Sequence, residues 1–237
     1  MEKRDKLKKI IDDSENIVFF SGAGVSTESG IKDFRSQDGL YSLKFKYPPE
    51  YMLSANMFYL HTEEFFDFYR TYLDCRNAAP NLVHKYLAKL ESSGKLCGII
   101  TQNIDGLHTK AGSKHVCEIH GTILRNHCIE CGCEYDANFV FGGSGIPICK
   151  CGGIVKPDVV LYGESLPEAV FSESCKLVDN ADTLVAIGSS LTVEPAASLV
   201  RNFKGKHLVI INRDNTPYDD MAELVINDEL GHVFNGL

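Results

Sequence analysis

Short blocks of almost unbroken apolar residues alternate along this chain with longer stretches in which apolar positions return every three or four residues. The short blocks are NIVFF (16–20), LCGII (96–100), PDVVLY (157–162), DTLVAIG (182–188) and KHLVIIN (206–212). Rich in Val, Ile and Leu and lacking polar alternation, they read as strands buried on both faces. The longer stretches, 54–75, 80–92, 167–179 and 195–203, read as helices, with Pro80, Pro167 and Pro195 placed as first-turn prolines. This alternation predicts an α/β fold: a Rossmann-like parallel sheet with helices on both faces. The N-terminal segment carries Leu7, Ile10 and Ile11 on one side and reads as a charged surface helix. Residues 36–56, with YPPEYM, read as a long loop or short-helix region of the kind that often forms a lid.

Residues 121–156 break the pattern. They are rich in Cys and Gly, carry no long apolar run, and read as a small inserted module. Five of the nine cysteines fall between Cys128 and Cys151. Cys128 and Cys131 form a C-x-x-C; after 17 intervening residues Cys149 and Cys151 form a C-x-C. Two close thiol pairs at this separation predict a closed, structural zinc site, since a catalytic zinc keeps an open position and usually includes His. On a strand, residues i and i+2 share a face, so a C-x-C can aim both sulfurs at one metal, with Gly152 and Gly153 making the turn. Cys133 is a fifth thiol able to replace a neighbour. The module is too small for a core of its own, so metal binding is expected to supply much of its folding energy.

Composition narrows the function. The 237 residues carry a formal net charge of -8, which disfavours a protein built to grip nucleic acid or an anionic membrane. No apolar run approaches the roughly 20 residues that span a bilayer, and the N-terminus has no apolar signal core. An odd number of cysteines without an export signal favours reduced thiols and a cytoplasmic location.

Four stretches carry candidate chemistry, each at the exit of a predicted strand or beside the cysteine module: GAGVSTESG (22–30), TQNIDGLH (101–108), EIHG with His120, and GSSLTVEPAA (188–197). The first starts like a dinucleotide fingerprint but has Thr27 where G-x-G-x-x-G/A needs Gly or Ala. Ligands of open α/β sheets bind beyond the carboxyl ends of the strands, where these turns and Asn212 converge.

Taken in order, GAGVST, GIKDFRS, TQNID, HG, the cysteine pairs, PDVVLYGE, GSSLTVEPAA and the IN at 211–212 resemble the sirtuins, NAD-dependent protein-lysine deacylases, in their bacterial type. The resemblance spans about residues 20–215. It implies a single catalytic domain over 1–237. The NAD-binding part would comprise about 1–35, 80–120 and 157–237, with a zinc module at 121–156 and a lid and helical segment at 36–79.

The resemblance also assigns the site. Gly22, Ala23 and Gly24 would pack against the NAD diphosphate, with Thr27, the lid aromatic Phe34 and Arg35 nearby. Gln102, Asn103, Ile104 and Asp105 would surround the nicotinamide and its ribose, and Gly188, Ser189, Ser190 and Asn212 the adenosine. His120 would be the catalytic base, helped by Asn103 and Asp105. Imidazole suits that task because it is mostly neutral at working pH. Cys128, Cys131, Cys149 and Cys151 would hold Zn. Val160, Tyr162, Gly163 and Glu164 would line one side of an extended acetylated peptide, and Val193 the other. The implied products are nicotinamide, free lysine and O-acetyl-ADP-ribose. The enzyme is expected to be a monomer that binds neither nucleic acid nor membrane. The remaining histidines read as structural or solvated.

Three departures carry expectations. Lys32 stands where the family usually has Pro, which predicts a more flexible lid and altered NAD affinity. GSS replaces the commoner Gly-Thr-Ser. Desuccinylating members carry Tyr-x-x-Arg on the helix after the lid, where the Arg grips the carboxylate; here Tyr69 is followed by Tyr72. Poor activity on succinyl-lysine is therefore expected, unless a register shift of two brings Arg70 into play. The alternatives are protein mono-ADP-ribosylation from the same NAD site and a non-catalytic NAD-sensing or zinc-dependent module.

Overall fold

The computed structural model describes residues 3–33, 39 and 45–237. Helix α1 (Lys3–Asp13) buries Leu7, Ile10 and Ile11, as their spacing requires. Strand β1 (Ile17–Ser21) is buried at every position. It leads into a 3-10 helix over Ala23–Ser29, ended by Gly30 in the left-handed region at φ 83°. Next come α2 (Pro49–Met52), α3 (Ala55–Leu60) and α4 (Thr62–Leu73). The helix expected over 54–75 is thus two. The Ser54 side chain caps the first by accepting from the Met57 N–H, and His61, at φ -138° and ψ 51°, breaks the chain between them.

Asn81 caps α5 (Leu82–Ser92), accepting from the N–H groups of Val83 and His84. There follow β2 (Leu96–Thr101), α6 (Leu107–Lys110), β3 (Val116–Glu118), β4 (Gly121–Cys128), β5 (Glu134–Asp136), α7 (Ala137–Phe141) and β6 (Val155–Val159). The chain ends with α8 (Glu168–Asn180), β7 (Thr183–Ile187), α9 (Ser198–Arg201), β8 (His207–Ile211), β9 (Leu224–Ile226) and α10 (Leu230–Phe234).

Six strands form one sheet in the order β3-β2-β1-β7-β8-β9, and every pairing in it is parallel. The order reverses between β1 and β7, where Ser21 lies opposite Ile187. At such a reversal the chain leaves neighbouring strands in opposite directions and opens a crevice for a ligand. One apolar cluster lies on each face: Phe19, Val185 and Val209 with Leu7 and Phe234, and Phe20, Ala186 and Ile210 with Val178 and Leu199.

PDVVLY does not join that sheet. Its first residues belong to β6, which pairs antiparallel with β4 in a second sheet ordered β5-β4-β6. A continuous apolar run marks burial on both sides but does not say which sheet provides it. Strands β3 and β9 were invisible because three residues carry no period. The prolines also sit differently. Pro80 precedes the cap residue Asn81, Pro167 is itself a cap with ψ 115°, and Pro195 precedes an α9 that starts only at Ser198. Pro167 delivers extended backbone to its helix, whereas Pro195 lies in the turn before α9, its carbonyl accepting from the Ser198 N–H.

A third cluster unites distant segments. Phe58, Phe65, Phe66 and Tyr69 of α3 and α4 pack with Ile123, Val140, Phe141 and Val155 from the cysteine-rich region. The two segments form one small lobe with one core.

Candidate active site and cysteine cluster

The crevice at the β1–β7 reversal is a cleft of about 630 Å³. The turn after β1 and the turn after β7 form its floor and touch each other. The Gly24 N–H donates to the Gly188 carbonyl at 2.8 Å, and the Gly22 N–H to the Ile187 carbonyl at 3.0 Å. A Cβ on Gly22 would lie 2.7 Å from the Gly188 oxygen, and one on Gly24 2.8 Å from Gly188 Cα. The glycines are therefore needed first for the approach of the two turns. Gly188 is glycine for a second reason, a φ of 57°.

Every described residue that the sequence assigned to cofactor or peptide lines this one cleft. From the floor come Gly22, Ala23, Gly24, Thr27, Gly188, Ser189, Ser190 and Asn212; from the β2 exit Gln102, Asn103, Ile104 and Asp105. His120 joins them, with Val160, Tyr162, Gly163, Glu164 and Val193 along another side. Lys32 also reaches the cleft and is exposed. Phe34 and Arg35 lie outside the described residues.

Beyond β2 the polar side chains are buried and committed. Asn103 Nδ2 donates to the Gly22 carbonyl and to Ser26 Oγ, both at 3.1 Å. The Ser26 hydroxyl donates to Asp105 Oδ2 at 2.6 Å, and Asp105 Oδ1 accepts from the Leu107 N–H at 2.8 Å. Asp105 thus also ties down the start of α6. Gln102 Nε2 donates to Ser189 Oγ at 2.8 Å, joining the two sides of the floor. Ser26 was missed as a member of this set although it sits within GAGVSTESG. Asp228, Glu229 and Leu230 also line the cleft and were missed, because they follow the short β9.

His120 leaves the β3–β4 connection, and its Nδ1 lies 3.1 Å from the Gln102 carbonyl. A carbonyl can only accept, so Nδ1 carries the proton and Nε2 is left with its lone pair. Burial lowers the pKa of this imidazole from 6.5, and the Gln102 carbonyl partly opposes that. The ring is a neutral base at neutral pH.

The 160–164 edge of the cleft is fixed by bonds to neighbouring segments. The Val160 N–H donates to the His120 carbonyl at 2.9 Å. The Tyr162 N–H donates to the Leu53 carbonyl, and the Ala55 N–H to the Tyr162 carbonyl. Glu164 Oε2 accepts from the Leu161 N–H at 2.8 Å and from Lys156 Nζ at 3.1 Å. Glu164 therefore sets the shape of this edge.

The aromatic helix α4 answers the register question. Tyr69 is fully buried, stacked between Phe65 and Phe141. Arg70 Nε donates to the Val140 carbonyl at 2.7 Å, and the guanidinium lies over Phe66. Arg70 is not among the cleft residues, whereas Tyr72 is.

In the second lobe the thiol sulfurs of Cys128, Cys131, Cys149 and Cys151 all lie within 4.8 Å of one another. The Tyr135 hydroxyl donates to Cys149 Sγ at 3.1 Å. The Cys149–Cys151 segment is a turn rather than a strand. The Gly152 N–H donates to the Cys149 carbonyl, and Ile148 and Ile154 bridge its base. The tight reversal, with Gly152 at φ 92°, gathers both sulfurs. A Cβ on Gly153 would lie 2.8 Å from Cys128 Sγ. Cys133 stands outside the set and is exposed. Among the described residues the set is four thiols alone, and four soft thiolate donors fit a closed zinc site.

A parallel sheet whose order reverses at a glycine turn, with a deep cleft there and a four-thiol module beside it, defines a nucleotide-binding α/β protein with a structural metal site. The chain belongs to the Sir2 family: the sequence model of that family matches residues 22–195. An NAD-dependent protein deacetylase of Clostridium acetobutylicum is 54% identical to it, covering 98% of this chain and 97% of that protein. The protein of the same name from Clostridium tetani is 52% identical, covering 100% and 98%. Among solved structures, a Sir2 complex with p53 peptide and NAD+ superposes with a TM-score of 0.87 at 37% identity, covering 99% of this chain and 96% of that one. A Sir2 variant with deacetylated p53 peptide and 3′-O-acetyl ADP ribose gives a TM-score of 0.91 at 36% identity, covering the same shares. Among the described residues, no helix is long and apolar enough to cross a membrane.

Proposed function

We propose that this protein is an NAD-dependent protein-lysine deacetylase that releases nicotinamide and O-acetyl-ADP-ribose. The observation that carries the reading is the placement of His120. Its bare Nε2 belongs to the same cleft as the buried Asn103–Ser26–Asp105 set, and its own carbonyl holds the Val160 edge. Base, cofactor pocket and peptide edge are thus parts of one connected unit. Relatives about half identical over their whole length are named for this activity.

NAD supplies an electrophilic ribose C1′, to which the acetyl oxygen transfers as nicotinamide leaves. The chain does the rest. The floor glycines spend their own N–H groups on the Ile187, Gly188 and Ile211 carbonyls and, lacking side chains, leave a bare floor for a diphosphate. Asn103 and Asp105 orient the nicotinamide ribose. His120 Nε2 takes a proton from a ribose hydroxyl, while the Gln102 carbonyl fixes the ring's tautomer and stabilises the imidazolium that forms. The carbonyl of Val160 accepts from the substrate backbone, so that affinity comes from main-chain pairing with little demand on sequence. Cys128, Cys131, Cys149 and Cys151 hold zinc for structure alone. The position of Arg70 against Phe66, with Tyr72 in the cleft, favours neutral acyl groups. We read the substrates as acetylated proteins or peptides, the site of action as the cytoplasm and the enzyme as a monomer.

Mass spectrometry of acetyl-lysine and succinyl-lysine peptides, with and without NAD, beside His120→Ala, tests this. NAD-dependent loss of acetyl with matching O-acetyl-ADP-ribose is expected, with a much slower succinyl reaction and loss of activity in the variant. Nicotinamide release without deacylation would replace this reading with ADP-ribosylation. No turnover of NAD would leave the non-catalytic module.

A further inference from the structure

Beneath the cleft floor lie two imidazoles that the reaction does not use. His84 of α5 is 0% exposed and His108 of α6 is 2% exposed. Their ring centres are 4.8 Å apart, tilted by 56°. Two of their four nitrogens, His84 Nε2 and His108 Nδ1, are buried with no hydrogen-bond partner. Buried polar atoms are rarely left so without cause.

The other two nitrogens show what the pair does. His84 Nδ1 sits in the capping box of α5, 3.3 Å from the Asn81 N and 3.0 Å from Asn81 Oδ1. His108 Nε2 lies 2.9 Å from Ser21 Oγ. Two proton orders satisfy this chain of neutral rings. In one, the Asn81 N–H donates to His84, His84 to His108 and His108 to Ser21, with both ring protons on Nε2. In the other, Ser21 donates to His108, His108 to His84 and His84 to Asn81 Oδ1, with both on Nδ1. Either way the two rings share one tautomer and turn a donor toward an acceptor.

Both ends of this chain grip the cofactor loop. Ser21 immediately precedes Gly22. Asn81 Nδ2 donates to the Val25 carbonyl at 2.7 Å and to Ser29 Oγ at 3.1 Å. The strap therefore holds the start, middle and end of the segment whose residues 22–24 and 26–28 line the cleft.

We propose that His84 and His108 are positioning residues for the nucleotide: a strap of two neutral imidazoles in fixed tautomers that clamps the 21–29 loop in its NAD-binding shape. Both rings are neutral because burial pushes His84 down to about 4 and His108 to about 3. The charged group acting on His84 is Asp105, which is already engaged by Ser26 and the Leu107 N–H. A proton added to either ring would set two donors against each other.

This inference rests on reading the cleft as the NAD site, and its test has arms that do not need catalysis. In 15N-histidine NMR of the full chain, two of the eight imidazoles should be neutral in one shared tautomer and stay unprotonated from pH 8 to pH 5.5. His84→Gln and His108→Gln assign them. Unlike tautomers on the two rings, or titration within that range, overturn the strap. NAD titration calorimetry should show His108→Ala weakening binding about tenfold, roughly 1.4 kcal/mol. Peptide KM should stay within about twofold, since that edge hangs on Leu53 and His120. His108→Gln, which keeps a donor at the Nε2 position, should recover most of the affinity. Unchanged NAD binding in a folded His108→Ala, or equal loss for both substrates, would refute the proposal. Should that variant not fold, Ser21→Ala decides, with an expected severalfold loss confined to NAD. If the wild type binds NAD but deacylates nothing, the deacetylase reading fails while the strap is still judged by binding and NMR.

Discussion

At the scale of single residues, His120 shows how a side chain is prepared for its task by what covers it. Alone, a histidine before a glycine is an ordinary loop residue. Here the Gln102 carbonyl fixes the proton on Nδ1, and burial disfavours the charged form. In the role proposed for it the ring must be unprotonated, and its pKa is lowered. Activity should therefore persist as pH falls through 6.5, the ordinary imidazole value, and decline only below it. The acidic limb of kcat/KM for the acetyl peptide checks this. A limb at or above 6.5 would mean that the ring is more solvated than its burial implies. Residue identity in the cleft was legible because the polar residues cluster at strand exits. The partnerships were not. Nothing in GAGVSTESG says that Ser26 would bond both Asn103 and Asp105, or that Gly24 would be fixed by contact with a turn more than 160 residues away.

At the scale of elements, the sequence was most readable where burial was most complete. β1, β7 and β8 appear within a residue of their expected bounds, since a strand covered on both faces has no choice but to be apolar. α4 was merged with α3 because His61 breaks the backbone without the Gly or Pro that would announce it. The segment after β6 has the apolar side chains of a strand, yet a charged clasp shapes it. Lys156 Nζ, its side chain 10% exposed, donates to the Pro157 and Val159 carbonyls and to Glu164. Glu164 in turn holds the Leu161 N–H. Lys156→Met should leave the partly buried Glu164 carboxylate without its cationic partner, at a cost on the order of 1–2 kcal/mol. The loosened edge should raise peptide KM at least severalfold with little change in NAD affinity. Adding Glu164→Gln removes the stranded charge and should recover stability but not peptide affinity. Equal shifts in both Michaelis constants would show that the clasp supports the fold in general and not this edge.

At the scale of the molecule, the cysteine spacing marks a metal module, but nothing in the pattern of residues says how far its influence reaches. The stacking of Tyr69 on Phe141 joins segments about 70 residues apart, and no local pattern records it. The consequence is a lobe whose helices depend on the thiol cluster. α7 and Val155 hang from the two cysteine turns, and α3 and α4 bury much of their aromatic faces in the cluster that these form. The peptide edge is tied to the same lobe through Leu53 and Ala55, whereas the floor glycines belong to the parallel sheet. Metal removal should therefore act unequally. A strong chelator should lower the melting temperature by on the order of 10 °C, given the several kcal/mol a structural zinc contributes. The far-UV helix signal lost should exceed that of the five-residue α7, because the twelve-residue α4 loses its support too. Acetyl-peptide binding should fall with it, while NAD binding to the sheet should be largely kept. Loss confined to the module, with peptide affinity intact, would mean that α3 and α4 stand without the cluster. Equal loss of NAD binding would mean that the two lobes melt as one.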